Sequence, residues 1–113
     1  MQIIIETRDA NDRQMRDLTH ERVRFVLRRL KSLVPRARVL FSDVNGPRGG
    51  VDKRCQVELR TEVAGTVVIA SLARDWHTAL NLSLLRATQT LTRSLQRSRR
   101  PLRGQVGKLA LDT

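Results

Sequence analysis

The sequence has few aromatic residues: one Trp, two Phe and no Tyr among 113 residues. Sheets that recognise single-stranded RNA need several exposed rings on which bases can stack. Proteins of the membrane surface likewise use aromatic side chains as anchors at the headgroup level. The shortage of rings therefore argues against both classes.

Cysteine and histidine are also scarce, with Cys55, His20 and His77 as their only representatives. A lone cysteine excludes an internal disulfide, and neither histidine has a companion at metal-ligand spacing. We interpret Cys55 as an inert core thiol and His77 as a partly packed residue in a first helical turn. Glu58 and Glu62 are interpreted as solvated acids. The sequence thus predicts no catalytic residues, no cofactor and no metal.

Long apolar runs are missing as well. The first, Ile3 to Ile5, is far too short for a signal peptide or a membrane span. The length fits one domain with a modest core. We expect a cytoplasmic monomer without a membrane partner, formed by a domain over residues 1–100 and a basic C-terminal tail over residues 101–113.

What the sequence does contain is positive charge. Its 22 Lys and Arg residues face 11 Asp and Glu residues, which gives a net charge of +11 and a pI near 11.7. Arginine outnumbers lysine 19 to 3. Its planar guanidinium can grip a phosphate with two hydrogen bonds, so nucleic acid is the leading candidate partner.

A stripe of arginines concentrates this charge near the C-terminus. Its members are spaced by seven, four and three residues, which places them on one side of a helix: Arg86, Arg93, Arg97 and Arg100. No acid occurs between Asp75 and Asp112. A merely solvated helix face normally mixes both signs, because like charges at helical spacing repel. The stripe therefore predicts contact with RNA phosphates.

Hydrophobic periodicity predicts six elements. Strands are expected over residues 2–7, 36–44, 53–62 and 66–72, one helix over 12–33, and a last helix that begins after Asp75. Asp9, Asn11 and Asp12 offer caps for the first helix, and Pro35 ends it. Ala64 and Gly65 form a turn before the last strand. The expected fold is α+β, in the order β-α-β-β-β-α, with a four-stranded sheet and two helices packed on one face.

The buried positions follow from the same periodicity. Inward strand residues are Val39, Phe41, Cys55, Val57 and Leu59. The apolar side of the first helix is predicted to comprise Met15, Leu18, Val23, Val26, Leu30 and Leu33. The second helix should bury Trp76, Leu80, Leu84, Ala87, Leu91 and Leu95, away from the arginine stripe.

Three segments resemble a known family. They are the opening strand Met1 to Ile5, the loop run Ser42 to Cys55 (SDVNGPRGGVDKRC), and the helix start Asp75 to Leu80 (DWHTAL). With the element order, they resemble the short ribosome hibernation-promoting factors, also described as ribosome-associated inhibitors or sigma modulation proteins. The resemblance covers about residues 1–100.

The resemblance implies a partner and a role. Such a protein would bind the small ribosomal subunit and its ribosomal RNA in the mRNA and tRNA channel, silencing translation and preserving idle ribosomes under stress. Basic family positions fall on Arg86, Arg93 and Arg97, and more loosely on Arg24 and Arg28. Leu95 departs from the family by replacing a basic residue. Because the chain lacks the length for the extra dimerisation domain of longer members, ribosome pairing would need a separate ribosome-dimerising factor.

The loop around Gly46 has several possible interpretations. Residues 46–49 match the GxxG clamp of a KH domain, but that clamp joins two helices rather than two strands. The P-loop pattern also fails, since no Gly-Lys-Ser/Thr opens a helix. Two interpretations stay open: a flexible strand connection, or a loop from which Arg48, Lys53 and Arg54 reach RNA.

Other function classes share part of this pattern. A general double-stranded-RNA-binding protein or RNA chaperone would have the same electrostatics and a related α-β-β-β-α order. The added first strand and the segment over residues 45–55 favour the ribosomal hypothesis. A small enzyme is a distant third.

Overall fold

The computed structural model describes residues 1–7, 13–44 and 53–99, without the side chains of residues 98 and 99. Six elements occur in the order β-α-β-β-β-α, as the sequence predicts. They are β1 (Gln2–Thr7), α1 (Arg13–Val26), β2 (Arg36–Asp43), β3 (Lys53–Arg60), β4 (Thr66–Ala73) and α2 (Trp76–Arg99). The predicted caps Asp9, Asn11 and Asp12 and the tail over residues 101–113 lie outside the described residues.

The four strands form one sheet whose spatial order equals the chain order, β1-β2-β3-β4. β1 pairs with β2 in parallel, Gln2 opposite Arg36, whereas the β2–β3 and β3–β4 pairs are antiparallel. A parallel pair requires a long crossover connection, which α1 and the following turns supply. The mixed sheet follows directly from this single crossover.

The strand registers place the buried apolar side chains of the strands on one face of the sheet, whereas Val68 and Leu72 are exposed on the other face. Val39 lies between Ile5 and Val57 across three strands, and Ile69 continues the row on β4. Both helices cover this face: α2 contacts β3 and β4, and α1 contacts β1 and α2. The expected α+β fold, with two helices on one face of the sheet, is confirmed.

Alternation along the strands explains the core. The five predicted inward strand residues are all buried: Val39, Phe41, Cys55, Val57 and Leu59. These strand residues pack against the predicted apolar side of α2. That side is buried at Leu80, Leu84, Ala87, Leu91 and Leu95, and Trp76 is half-buried beside it. Because strand side chains alternate at period two and helical ones at about 3.6, both stripes could be located from the sequence alone.

The first helix is shorter than the periodicity predicts. It ends at Val26, and residues 27–33 form turns instead of the expected helix to Leu33. Leu30 N–H donates to the Leu27 carbonyl at 2.8 Å, and Leu33 N–H donates to that of Leu30 at 2.8 Å. Such i to i+3 bonds keep apolar residues three apart on one side, so the turns mimic the helical pattern.

One buried position on the predicted first helix, Leu18, was also predicted wrongly. Leu18 is exposed, whereas Leu27 is fully buried together with Val23 and Thr19. Thr19 can occupy the core because its hydroxyl donates to the Met15 carbonyl at 2.7 Å. Thr19, a small polar residue, is thus buried at a position where hydrophobic periodicity predicts its neighbour Leu18.

The turn between β3 and β4 depends on Gly65 and Thr61. Gly65 has a φ of +72°, a conformation that favours glycine. The Thr61 hydroxyl donates to the Gly65 carbonyl at 2.6 Å and accepts from the Ala64 N–H at 2.9 Å. The predicted Ala64-Gly65 turn is confirmed, and its polar groups are satisfied locally.

Asp75 caps α2, as predicted. One carboxylate oxygen accepts the Thr78 N–H at 2.7 Å and the other accepts the Thr78 hydroxyl at 3.0 Å. These bonds satisfy a donor that the first helical turn leaves open. The backbone N–H and then the hydroxyl of Thr78 lower the pKa of Asp75, because both stabilise the charged carboxylate.

This lowered pKa predicts a specific acid sensitivity. A carboxyl with a lower pKa when folded stabilises the fold above its unfolded pKa of about 3.9, and that contribution is lost as the pH falls through the folded value. We expect the free energy of unfolding to fall below about pH 4 less steeply in Asp75→Asn, which keeps a capping oxygen but does not titrate. Urea denaturation between pH 2.5 and 6 measures the difference, and identical pH profiles would contradict it.

Candidate nucleic-acid interface

The arginine stripe is exposed along α2. Arg86, Arg93 and Arg97 are all exposed and lie opposite the buried residues Leu84 and Leu91. Their spacing of seven and four residues keeps the three guanidiniums on one side of the helix. Arg100, the fourth predicted member, lies outside the described residues. The helix therefore separates a core face from a cationic face.

None of these three arginines forms an ion pair in the part of the chain that the structure describes. The ion pairs found there join Arg38 to Glu6 and Glu58, and Lys53 to Asp43. Arg97 donates to the hydroxyl of Ser94 at 3.3 Å, which leaves its charge uncompensated. A row of cations without counter-charges attracts a polyanion more strongly than a mixed face does.

The family-like positions of the first helix lie in different local settings. Arg24 is exposed on α1, and Arg28 follows the helix in the turn segment. The Arg28 guanidinium donates to the Phe25 carbonyl at 2.7 Å and lies 4.2 Å from the centroid of the Phe25 ring. Leu95, where the resemblance led us to expect a basic residue, is buried. That departure is explained by packing, because position 95 faces the core.

The predicted loop contacts Lys53 and Arg54 lie on opposite faces of the sheet. Lys53 is half-buried, and its ammonium lies 2.6 Å from the Asp43 carboxylate and 5.2 Å from the Trp76 ring centroid. Arg54 lies on the uncovered sheet face and donates to Gln56 at 3.0 Å. Arg48 lies outside the described residues. Since consecutive strand residues point to opposite faces, Lys53 and Arg54 cannot contact one RNA strand in the same way.

Sequence reasoning missed a cleft between β1 and α1. It has a volume of about 620 Å³, and its lining includes Ile3, His20, Arg24, Phe25, Arg28 and Lys31. Among its described lining residues, Glu21 is the single acid. A signal was present, because Arg24, Phe25 and Arg28 recur at helical spacing opposite the apolar side.

Cys55, His77 and Glu58, the residues considered for enzyme chemistry, lie in different environments. Cys55 is buried, and burial raises the pKa of its thiol to about 12, so the core position is confirmed. His77 is exposed, which makes the expectation of a partly packed residue wrong. Glu58 pairs with Arg38 at 3.7 Å rather than facing solvent alone. Across the described ranges, no three His, Cys, Asp or Glu side chains are grouped to hold a metal ion.

Membrane insertion through a helix also finds no support in the described elements. Neither α1 nor α2 combines the length and the apolar character that crossing a bilayer requires.

No protein-family model and no curated protein matches this sequence. Solved structures do match. A ribosomal subunit interface protein from Coxiella burnetii superposes with a TM-score of 0.68 at 14% identity, covering 85% of this chain and 99% of that chain. The Protein Y N-terminal domain from Thermus thermophilus superposes with a TM-score of 0.65 at 19% identity, covering 82% of this chain and 98% of that chain. The resemblance seen in the sequence therefore extends to the structure, and the chain has the fold of these two proteins.

Proposed function

We propose that this protein binds the small ribosomal subunit through ribosomal RNA in the mRNA and tRNA channel. There it silences translation and preserves idle ribosomes under stress or in stationary phase. The observation that carries the proposal is the exposed stripe of Arg86, Arg93 and Arg97, which has no acidic partner among the described residues. The fold shared with a ribosomal subunit interface protein supports it.

The proposal assigns roles by position. Arg86, Arg93 and Arg97, with Arg100 beyond them, hold phosphates along α2, and Arg24 and Arg28 hold phosphates beside α1. Arg54 and Arg48 are secondary contacts, and Lys53 contributes least because Asp43 neutralises it. The protein acts as a cytoplasmic monomer without catalysis, and pairing of two ribosomes requires a separate factor.

Sedimentation tests the proposal directly. The purified protein should co-migrate with small subunits or whole ribosomes in a sucrose gradient and should inhibit a cell-free translation reaction. Migration with large subunits only, or full translation at saturating protein, would remove the ribosomal function. Equal affinity for an unrelated RNA duplex and for small subunits would favour a general double-stranded-RNA-binding protein.

The salt dependence of binding tests the role of the arginines. The five phosphate contacts assigned to described residues, from Arg24, Arg28, Arg86, Arg93 and Arg97, should by themselves contribute a slope of about −3.5 to −4.5 to the fall of log affinity with log salt. Replacing Arg86 by Gln should reduce the slope by somewhat under one, about 0.7 to 0.9, because one fewer counterion is released. Filter binding at several salt concentrations measures the slope. A slope near zero would show that the arginines take no part.

A further inference from the structure

One aromatic ring of this protein stays outside the core. Phe41 is buried and Trp76 half-buried, and they pack edge to face with centroids 5.5 Å apart. Phe25, the third ring, is 57% exposed on α1. The chain contains no other aromatic side chain apart from its two histidines. Phe25 therefore does not serve to fill the core.

Cations surround this exposed ring. The Arg28 guanidinium carbon lies 4.2 Å from the ring centroid and that of Arg22 lies 5.9 Å from it. Arg28 is also tied to the Phe25 carbonyl by its 2.7 Å hydrogen bond. Cation–π attraction of this kind keeps the ring at the surface. Even with Arg28 over the ring, Phe25 keeps more than half of its residue surface open to solvent.

The ring forms one side of the cleft between β1 and α1. Ile3 adds apolar surface from β1, and three formal positive charges converge there from Arg24, Arg28 and Lys31. Of the lining residues that the structure describes, Glu21 alone is acidic. The cleft thus combines a flat apolar surface with an excess of positive charge. A nucleotide has the complementary combination, a flat base joined to an anionic phosphate.

We propose that this cleft binds one unpaired RNA nucleotide. Its base stacks on the open part of the Phe25 ring, and its phosphates are held by Arg24, Arg28 and Lys31. Bases stack on aromatic rings and on guanidinium planes alike. The base must be unpaired, because bases inside a duplex are covered by their neighbours and cannot reach a side-chain ring.

This inference rests on the proposed function but adds a contact of a different kind. The α2 stripe holds phosphates and depends on salt, whereas stacking on Phe25 is not ionic. The two contributions are therefore separable by measurement. Stacking is also sequence-tolerant, since every base has a π-face, so the subsite would read the presence of an unpaired base rather than its identity.

The test compares Phe25→Ala, Phe25→Leu and Phe25→Trp with the unmodified protein. Binding is measured to small ribosomal subunits and, separately, to a ten-nucleotide oligoadenylate. We expect Phe25→Ala to weaken binding to both by about 5- to 150-fold. Phe25→Leu should weaken it comparably, because it restores apolar volume but no ring. Phe25→Trp should bind at least as tightly as the unmodified protein.

Controls separate stacking from charge and from folding. Val63→Ala truncates a side chain of similar exposure, 59%, in the β3–β4 turn, and should leave both affinities unchanged. The slope of log affinity against log salt should stay the same in Phe25→Ala but become shallower in Arg24→Gln. Urea denaturation should give the same free energy of unfolding for the Phe25 variants.

The outcomes distinguish the two proposals. Tight binding of Phe25→Ala to both ligands, or recovery of affinity by Phe25→Leu, would overturn the stacking subsite and leave the ribosomal function standing. Failure of the unmodified protein to bind small subunits, with a Phe25-dependent affinity for the oligoadenylate, would overturn the ribosomal function alone. Binding to neither ligand would overturn both.

Discussion

Replacing Arg93 and Arg97 together by glutamate should weaken binding to small ribosomal subunits by at least about 100-fold. Hydrogen bonds to charged groups contribute about 1.5 kcal/mol or more each, so two lost contacts amount to about 3 kcal/mol, and the new carboxylates also repel phosphate. Both side chains are exposed and face away from Leu91. The free energy of unfolding should therefore change by only about 0.5 kcal/mol per site.

A matched control exists on the other side of the molecule. Arg36 and Arg60 are exposed, lie directly opposite each other on β2 and β3, and point to the uncovered sheet face. The Arg36→Glu/Arg60→Glu variant has the same net charge and again replaces two neighbouring cations by two neighbouring anions. It should lose far less affinity. If both double variants bind equally, general charge rather than the α2 stripe drives the association.

Leu91→Ala should produce the opposite result, a large loss of stability with ribosome binding retained by the molecules that remain folded. Leu91 is completely buried in the core beneath α2. Truncating such a leucine costs about 2 to 5 kcal/mol, since apolar contacts are lost and a cavity is left. For a domain of this size each kcal/mol lowers the melting temperature by about 4 to 8 °C, so a fall of at least about 8 °C is expected in calorimetry.

Leu85 provides the control for this substitution. It lies on the same helix but is 54% exposed. Leu85→Ala removes the same atoms without opening a cavity, and the melting temperature should change little. Equal melting temperatures for the two alanine variants would show that α2 does not pack on the sheet through Leu91.

The fold could be predicted from local patterns wherever side-chain periodicity was strict. Cys55, Val57 and Leu59 alternate with polar residues, and all three are buried. Leu84 and Leu91 mark the inner side of α2 equally clearly. The segment after α1 was harder, because turns closed by i to i+3 bonds place Leu30 on the same side as a helix would. Periodicity alone does not separate these two backbones.

Parts of the candidate interface depend on contacts that no local pattern contains. Lys53 pairs with Asp43 because the β2–β3 register places the two residues opposite each other, which neutralises a predicted RNA contact. Phe25 is exposed because α1 turns its other side to the sheet. The composition gives the number of aromatic rings but not their positions, so it does not predict that Phe25 is exposed. The α2 stripe was easier, since its spacing and its lack of acids are both visible along the chain.

The burial of Cys55 bears on how long the protein can persist. Thiolate, rather than thiol, is the form that reacts with peroxide and exchanges with disulfides. A thiol with a pKa of about 12 and no exposed surface supplies almost no thiolate near neutral pH. The folded protein therefore has no sulfur nucleophile available for glutathione adducts or for covalent linkage to a second chain. Oxidants would leave its only cysteine unchanged for as long as α2 stays packed over it.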